Sequence, residues 1–550
     1  MTAVLALCLG MIAAHHGQPV PAKANLIFYN GNIITVDPAK PRARAVAVAG
    51  DRILFVGDDN PALALAAPDA VRIDLAGRTL VPGFNDDHVH TLAFGAFYLE
   101  PILWGKSCTE IAAIVAEEAK KKKPGETVTG NSWDYPTCPN PSRALLDAAA
   151  PDNPVYLVQY SGHAAWANTA MLKKLKITRN TKDPVGGQIV RDAAGEPTGI
   201  LRDTAMAADV SQFLGRLLDR DEHRRIMAKA LELYRAAGIT SAQDNTWEPF
   251  TARYLAASRD RGTLTTRFTC WPYGNVKTSV ALMKLGRYDD VWVRRGPLKY
   301  LMDGAFSSRT GWLSEAYADE PGNFGQPRFT PKEMDAIVLK AARSHRQIAV
   351  HAIGDRAIKT VIDAVEKAAK KYPWTTALRM RLEHVQIMDP ADVARMKRLG
   401  MVASVQPFTL STPGKDVTLL GPERARRAYI FHTLFQAGIP VAFGSDAPAE
   451  VDYQPLLSIY YAVTRMNKAG TEGPLNPEER FTPEEALYCY TMGSAYAEFM
   501  EEQKGSVTAG KLADFAVLSD DLTAVPAAAI KDIQVMMTVT GGRIVYQAGE

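Results

Sequence analysis

Five side chains of metal-ligand type fall at the ends of successive apolar segments of this chain. His88 and His90 close Leu80-Val-Pro-Gly-Phe-Asn-Asp-Asp-His-Val-His90, and His351 closes Ile348-Ala-Val-His351. His384 closes Arg381-Leu-Glu-His384, and Asp446 follows Val441-Ala-Phe-Gly-Ser. Lys299 ends a similar run at Gly296-Pro-Leu-Lys299. His88 and His90 are two apart, so on an extended strand they point to the same side, which suits two ligands of one cation. Two core histidines satisfied by backbone partners are the alternative. Of 10 histidines, two lie near the N-terminus and four of the remaining eight fall at strand ends. Neutral imidazoles and carboxylates there are the ligands that hold a divalent metal and leave positions open for water. Asp446 could both ligate and act as general base and acid, taking a proton from water and passing it to the leaving group. As a helix N-cap before Ala447-Pro448 it would do neither. A free ammonium is a poor ligand, so Lys299 is expected either to be carboxylated to a carbamate that bridges two metals or to pair with Asp303. An unpaired buried charge is costly.

Such residues need a scaffold that brings distant strand ends to one rim. From about residue 80 to 500 apolar strands alternate with amphipathic helices, the pattern of a parallel sheet. Strands are read at 79–84, 238–243, 267–271, 298–302, 347–351, 380–384, 401–406 and 440–445, and helices at 332–345, 356–371, 390–399 and 424–437. Thr482-Pro-Glu-Glu485 supplies a cap, a proline and an acidic first turn for another helix. The strand count predicts an α/β fold, a (β/α)8 TIM-like barrel over 81–500, in which active sites gather at the C-terminal ends of the strands. About 140 residues separate the first two barrel strands, too many for a plain connection. They predict an inserted lid subdomain over about 125–225, with a strand at 153–160, a helix at 165–175 and a hairpin around 186–196. Short strands punctuated by Gly, Asn and Asp fill 25–80 and recur in 501–550, which predicts one composite β-sandwich domain built from both termini.

The 550 residues exceed one ordinary domain, and 47% apolar with 22% charged residues is a globular composition. Lys and Arg number 63 against 60 Asp and Glu, so nothing favours nucleic acid or an anionic membrane as partner. The basic run Lys120–Lys123 suits a solvated helix C-terminus. Five cysteines show no zinc-finger spacing, although Cys108 and Cys138 could pair in an exported protein. Val4–Ala14 is a short apolar core followed by Ala22-Lys-Ala24, so residues 1–24 read as a signal peptide that lacks a leading charge, with a disordered or packed segment as the alternative. The expected location is periplasmic or secreted, otherwise cytoplasmic. No stretch suggests a membrane-spanning helix.

The motifs Pro82-Gly-Phe-x-Asp-x-His88-x-His90, Trp133-Asp134, Gly162-His163-x-x-Trp166-x-Asn168, Asp303-Gly304, His351-x-x-Gly354-Asp355 and Gly444-Ser-Asp446 resemble the amidohydrolase superfamily. The closing Gly505-Ser-Val-x-x-Gly-Lys-Leu-Ala-Asp514-Phe also looks like its YtcJ-like branch, amidohydrolase family 3. The resemblance implies a barrel with a composite β-sandwich, one or two divalent metals, usually zinc, and hydrolysis of amide-type bonds in a small molecule. It places His88, His90, Lys299, His351, His384 and Asp446 at metal-site positions. Asp203 departs from the Glu more usual in relatives and bears on substrate choice. His163 is a candidate catalytic donor to the scissile carbonyl. Trp133, Trp166 and Arg309 are candidate substrate contacts, the tryptophans alternatively being lid core, and Arg424 is a further carboxylate binder unless paired. Arg191-Asp192 suggests a structural ion pair. The expected reaction is cleavage of a C–N bond in an amide, formamide or carbamate-like compound. A mononuclear deaminase is the first alternative, opposed by Ala352-Ile-Gly-Asp-Arg356, where a glutamate would be expected. A non-catalytic metal-binding regulatory protein is the second. Homo-oligomers are common among such barrels.

Overall fold

The computed structural model describes residues 23–184, 186–206, 220–245, 249–275, 290–449 and 452–549; the leader predicted over 1–24 lies outside them as far as residue 22. The fold is mixed α/β. Eight parallel strands carry the residues of interest: β1 (Phe84–Val89), β2 (Ile239–Asp244), β3 (Arg267–Cys270), β4 (Leu298–Leu301), β5 (Ile348–Ala352), β6 (Arg381–His384), β7 (Val402–Val405) and β8 (Val441–Phe443). β1, β2 and β3 pair in that order, with the short strand Val293–Arg295 beyond β3. β4 to β8 pair consecutively in a second sheet. A parallel bridge between Tyr273 and Lys299 links the two sets. At the other end, the Asp446 N–H donates to the His88 carbonyl at 2.7 Å and the His90 N–H to the Ala447 carbonyl at 3.0 Å. Gly444 permits that approach: a Cβ there would stand 2.7 Å from the His88 nitrogen and 2.6 Å from an Asp87 carboxylate oxygen.

Helices flank these strands as their period predicts. α1 (Pro331–Arg343) starts with a capping box between Thr330 and Glu333, and α2 (Asp355–Lys371) buries Ile358, Val361, Ile362 and Val365. α3 (Pro390–Arg398) is capped by Asp389, and the Thr482–Glu485 capping box forms as read. The helix predicted over 424–437 is broken into Pro422–Ala425 and Phe431–Gln436. Between them Tyr429 takes φ +57°, and the Asn476 side-chain amide donates to the carbonyls of Ala425 and Ala428, replacing helical partners.

The strand read at 79–84 is split at Gly83. Thr79–Pro82 pairs antiparallel with Phe515–Leu518, inside a six-stranded sheet that also holds Asn32–Ile34, Arg42–Ala43, Val535–Thr540 and Arg543–Gln547. Residues from both chain ends therefore share one sheet. A second sheet of Ala24–Tyr29, Ala45–Ala49, Arg52–Gly57 and Ala66–Asp74 packs on it through Phe28, Val46, Val48, Leu80, Phe515 and Val517. The buried Arg267–Asp514 ion pair, at 2.8 Å, ties β3 to the C-terminal segment.

The long connection after β1 contains its own five-stranded sheet: Val128–Trp133, Val155–Gln159, Ala164–Ala167, Pro197–Asp203 and Gly187–Arg191. Here the predicted helix 165–175 is half strand, because Ala165–Ala167 pair with Tyr156–Val158 and Asn168 caps a helix only over Thr169–Lys174. Arg191 pairs with Asp183 rather than Asp192. Cys108 and Cys138 are joined in a disulfide. Among the described residues no helix is long and apolar enough to cross a membrane.

Candidate metal centre

The ends of β1, β5, β6 and β8 deliver their side chains to one place. His88, His90 and Asp446 present ligand atoms that all lie within 4.8 Å of one another. Asp446 Oδ1 is 3.2 Å from His90 Nε2 and 3.4 Å from His88 Nε2. The His384 ring centroid lies 5.0 Å from that of His88 and 4.4 Å from that of His351. Lys299 Nζ stands 2.9 Å from His88 Nε2. Both strand ends turn sharply after the ligands: His384 has φ +79° and Asp446 φ +55°, left-handed conformations that non-glycine residues keep only where the surroundings impose them.

Three of the four histidines are oriented by a hydrogen bond from one ring nitrogen. His88 Nδ1 donates to the Glu383 carboxylate at 2.6 Å, leaving Nε2 toward Asp446 and Lys299. His384 Nδ1 donates to Gln406 Oε1 at 2.7 Å, and His351 Nε2 to the Gly304 carbonyl at 3.0 Å. Such outer partners fix the tautomer and aim of a ligating ring. Burial, with Lys299 adding repulsion, pushes the His88 pKa down to about 4. Burial likewise takes His384 down to about 3 and His351 well below its usual range. Neutral imidazoles with free lone pairs, beside a carboxylate, are the chemistry a divalent cation requires. The residues present therefore fit such an ion.

Beneath the histidines lies a fully buried charge network. Arg381 donates to Glu383 at 2.9 Å, to Asp87 at 2.9 Å and to Gln243 at 2.6 Å. Burial alone would raise Glu383, but Arg381 and His88 outweigh it and hold the carboxyl well below its ordinary range. Burial, with a smaller push from Arg381, lowers Lys299 to about 8 against the pull of Glu383 and Asp446. Lys299 is not answered by Asp303, whose carboxylate instead accepts the N–H groups of Trp312, Ile353 and Gly354 at 2.8 to 3.0 Å. Burial pushes Asp303 up to about 7.

An open cleft reaches this cluster and is lined by His351, His384 and Asp446 together with His163, Lys415 and Asp416. His163 Nδ1 is bound to the buried Asp203 carboxylate at 2.6 Å, and Arg328 donates to the same oxygen at 2.7 Å. Burial would raise Asp203, but these partners take it down to about 2. The His163 and His351 rings are 5.3 Å apart.

Other residues singled out from the sequence lie elsewhere. Trp133 and Trp166 are fully buried in the core of the inserted sheet, edge to face at 6.0 Å, with Trp133 Nε1 donating to the Leu157 carbonyl. Arg309 pairs with Asp319 at 2.7 Å, and Arg424 spends its guanidinium on the carbonyls of Glu315, Ala316 and Leu420. Glu383, Arg381 and Gln406 were missed. Glu383 carried a signal, being a charged residue inside an apolar strand immediately before a ligand candidate.

A mixed α/β scaffold whose strand ends gather histidines and an aspartate around a divalent-cation site defines a metal-dependent hydrolase. A sequence model of the amidohydrolase family matches residues 72–546, and the chain belongs to that family. It is 32% identical to the Protein LONG AFTER FAR-RED 3 of Arabidopsis thaliana, over 96% of this chain and 92% of that protein. It is 29% identical to an N-substituted formamide deformylase of Arthrobacter pascens, over 95% of this chain and 98% of the relative. Among solved structures, an uncharacterized metal-dependent hydrolase from Pyrococcus horikoshii OT3 superposes with a TM-score of 0.75 at 25% identity, covering 91% of this chain and 99% of that one.

Proposed function

We propose that this hydrolase cleaves the C–N bond of an amide, formamide or carbamate-like small molecule, with Asp446 as general base and then general acid. The observation that carries the reading is the convergence of His88, His90 and Asp446 within 4.8 Å, beside His351, His384 and Lys299. One or two divalent ions, zinc by the chemistry of the donors, would be held by these six residues. When bound, such an ion polarises a carbonyl and acidifies water. Asp446, whose side chain is 17% exposed where His88 is fully buried, meets the cleft directly. It takes the proton of the attacking water and returns it to the leaving nitrogen. His163, oriented by the bond from its Nδ1–H to Asp203, would donate to the scissile carbonyl through an Nε2–H, a role that needs a proton on both ring nitrogens. Burial that lowers Lys299 to about 8 raises the share of its neutral amine, the form that would add to CO₂ with loss of one proton to give a carbamate.

The eight parallel strands, joined by the Tyr273–Lys299 bridge and the Asp446–His88 bond, support a (β/α)8 barrel. The shared terminal sheet supports a composite β-sandwich of 25–80 and 501–550, and the five-stranded insertion a lid. The Cys108–Cys138 disulfide supports export to an oxidising compartment, periplasmic or extracellular. The formamide deformylase relative supports formamides as the first substrates to try. The test is metal analysis of the purified protein with an assay of amine release from formamides, acetamides and carbamates. Stoichiometric metal without turnover of any of them overturns the reading.

A further inference from the structure

We propose that Lys415 receives a carboxylate of the substrate, so that the site selects acylated amines bearing one negative charge, such as N-acylated amino acids. This rests on the amide-hydrolase reading and adds a substrate class to it. Among the described residues, Lys415 is the one lysine or arginine lining the cleft that also holds Asp446, His351 and His384. Arg309 and Arg424, which might have served, are occupied by Asp319 and by backbone carbonyls. The Lys415 ammonium makes no hydrogen bond or ion pair among the described residues, while its backbone N–H donates to the Thr412 carbonyl. Its Nζ lies 4.1 Å from the centroid of Tyr160, a residue of the insertion that also lines the cleft, a contact that leaves the ammonium its N–H donors.

The helix that carries Lys415 does not itself favour a cation at this position. Lys415 sits in the first turn of the helix Pro413–Leu420, where the helix dipole disfavours a cation. The wall around it is hydrogen-bonding, with Thr409, Ser411 and Thr412 beside it. A single cation near the carboxyl groups of Asp416 and Asp134 matches a monoanion better than a phosphate, which calls for several. The carboxylate would dock at Lys415 with the acyl nitrogen directed toward Asp446.

The test compares N-formylphenylalanine with N-formylphenethylamine, identical but for the carboxylate, on the metal-loaded wild type and on Lys415→Met and Lys415→Arg. A charge-assisted contact predicts roughly tenfold to a hundredfold higher kcat/KM for the acid in the wild type. Lys415→Met should remove that preference, and Lys415→Arg should restore most of it. Binding of 3-phenylpropionate against 3-phenylpropanol by calorimetry gives a readout independent of turnover. The acid should bind about tenfold more weakly to Lys415→Met, the alcohol equally to both. Equal binding of the acid to wild type and Lys415→Met overturns the assignment, as does an equal loss of both substrates. Carboxylate binding that depends on Lys415, with no amide cleaved by any protein, sinks the hydrolytic reading instead and leaves the anion site standing.

Discussion

Replacing Glu383 by glutamine tests whether the buried network tunes the metal centre. Glu383 is inaccessible to solvent and accepts from His88 Nδ1 at 2.6 Å and from Arg381 Nε at 2.9 Å. Glutamine keeps the size, but its NH₂ cannot accept, so one of those two contacts is lost and the negative charge goes with it. A hydrogen bond to a charged group is worth about 1.5–3 kcal/mol. Arg381 retains Asp87 and Gln243, so the fold should survive with a loss of about 2–3 kcal/mol, below that of stripping a buried pair bare. His88 then loses the partner that raises its basicity, a change that commonly weakens metal binding 10- to 100-fold, about 1.4–2.7 kcal/mol. Competition of Glu383→Gln and wild type against a chromophoric chelator measures the affinity, and thermal denaturation of the metal-free proteins measures stability. An affinity within about twofold of wild type, with an unchanged Tm, refutes the argument that Glu383 governs His88.

Asp203→Asn should lower kcat about 10- to 100-fold with metal content unchanged, because His163 would lose the carboxylate that fixes its ring; a purely structural role would lower the folded fraction and spare kcat per folded molecule. Asp416 gives a pH prediction. Burial pushes its carboxyl up to about 6, above the ordinary 3.8, so the folded state keeps a proton that the unfolded chain releases, and stability falls as pH rises through that window. Asp416→Asn, whose amide oxygen still accepts from Tyr429, should therefore gain about 1–3 kcal/mol at pH 8 and little at pH 3.5 in urea titrations, and a larger gain at the acidic pH contradicts it.

The convergence of His88, His90, His351, His384 and Asp446 was legible because strand period and strand ends are properties of sequence. His88 and His90 at i and i+2, and His351, His384 and Asp446 after apolar runs, were enough to propose a shared ion. Glu383 was hidden by the same rule, since neighbours on a regular strand face opposite ways. The left-handed turn at His384 lets both residues serve the site from different levels. Trp133 and Trp166 illustrate the reverse error: large aromatics in an insertion invite a substrate role, yet a five-stranded sheet needs its own core and takes them. The helix read at 424–437 failed because its breaker, Asn476, is distant in sequence. Arg309 and Arg424 looked available only because their partners, an aspartate ten residues on and three backbone carbonyls, are set by tertiary structure.

The pairing of Thr79–Pro82 with Phe515–Leu518 has a consequence for biosynthesis. The strand that aims His88 and His90 is anchored, through Gly83, to Phe515–Leu518, which are synthesised long after it. A nascent chain stalled before that segment lacks the neighbour that holds its first two ligands in place. Alignment of those two side chains thus waits until Phe515–Leu518 has been made, and breaking that strand pairing should act on the site from a great distance in sequence.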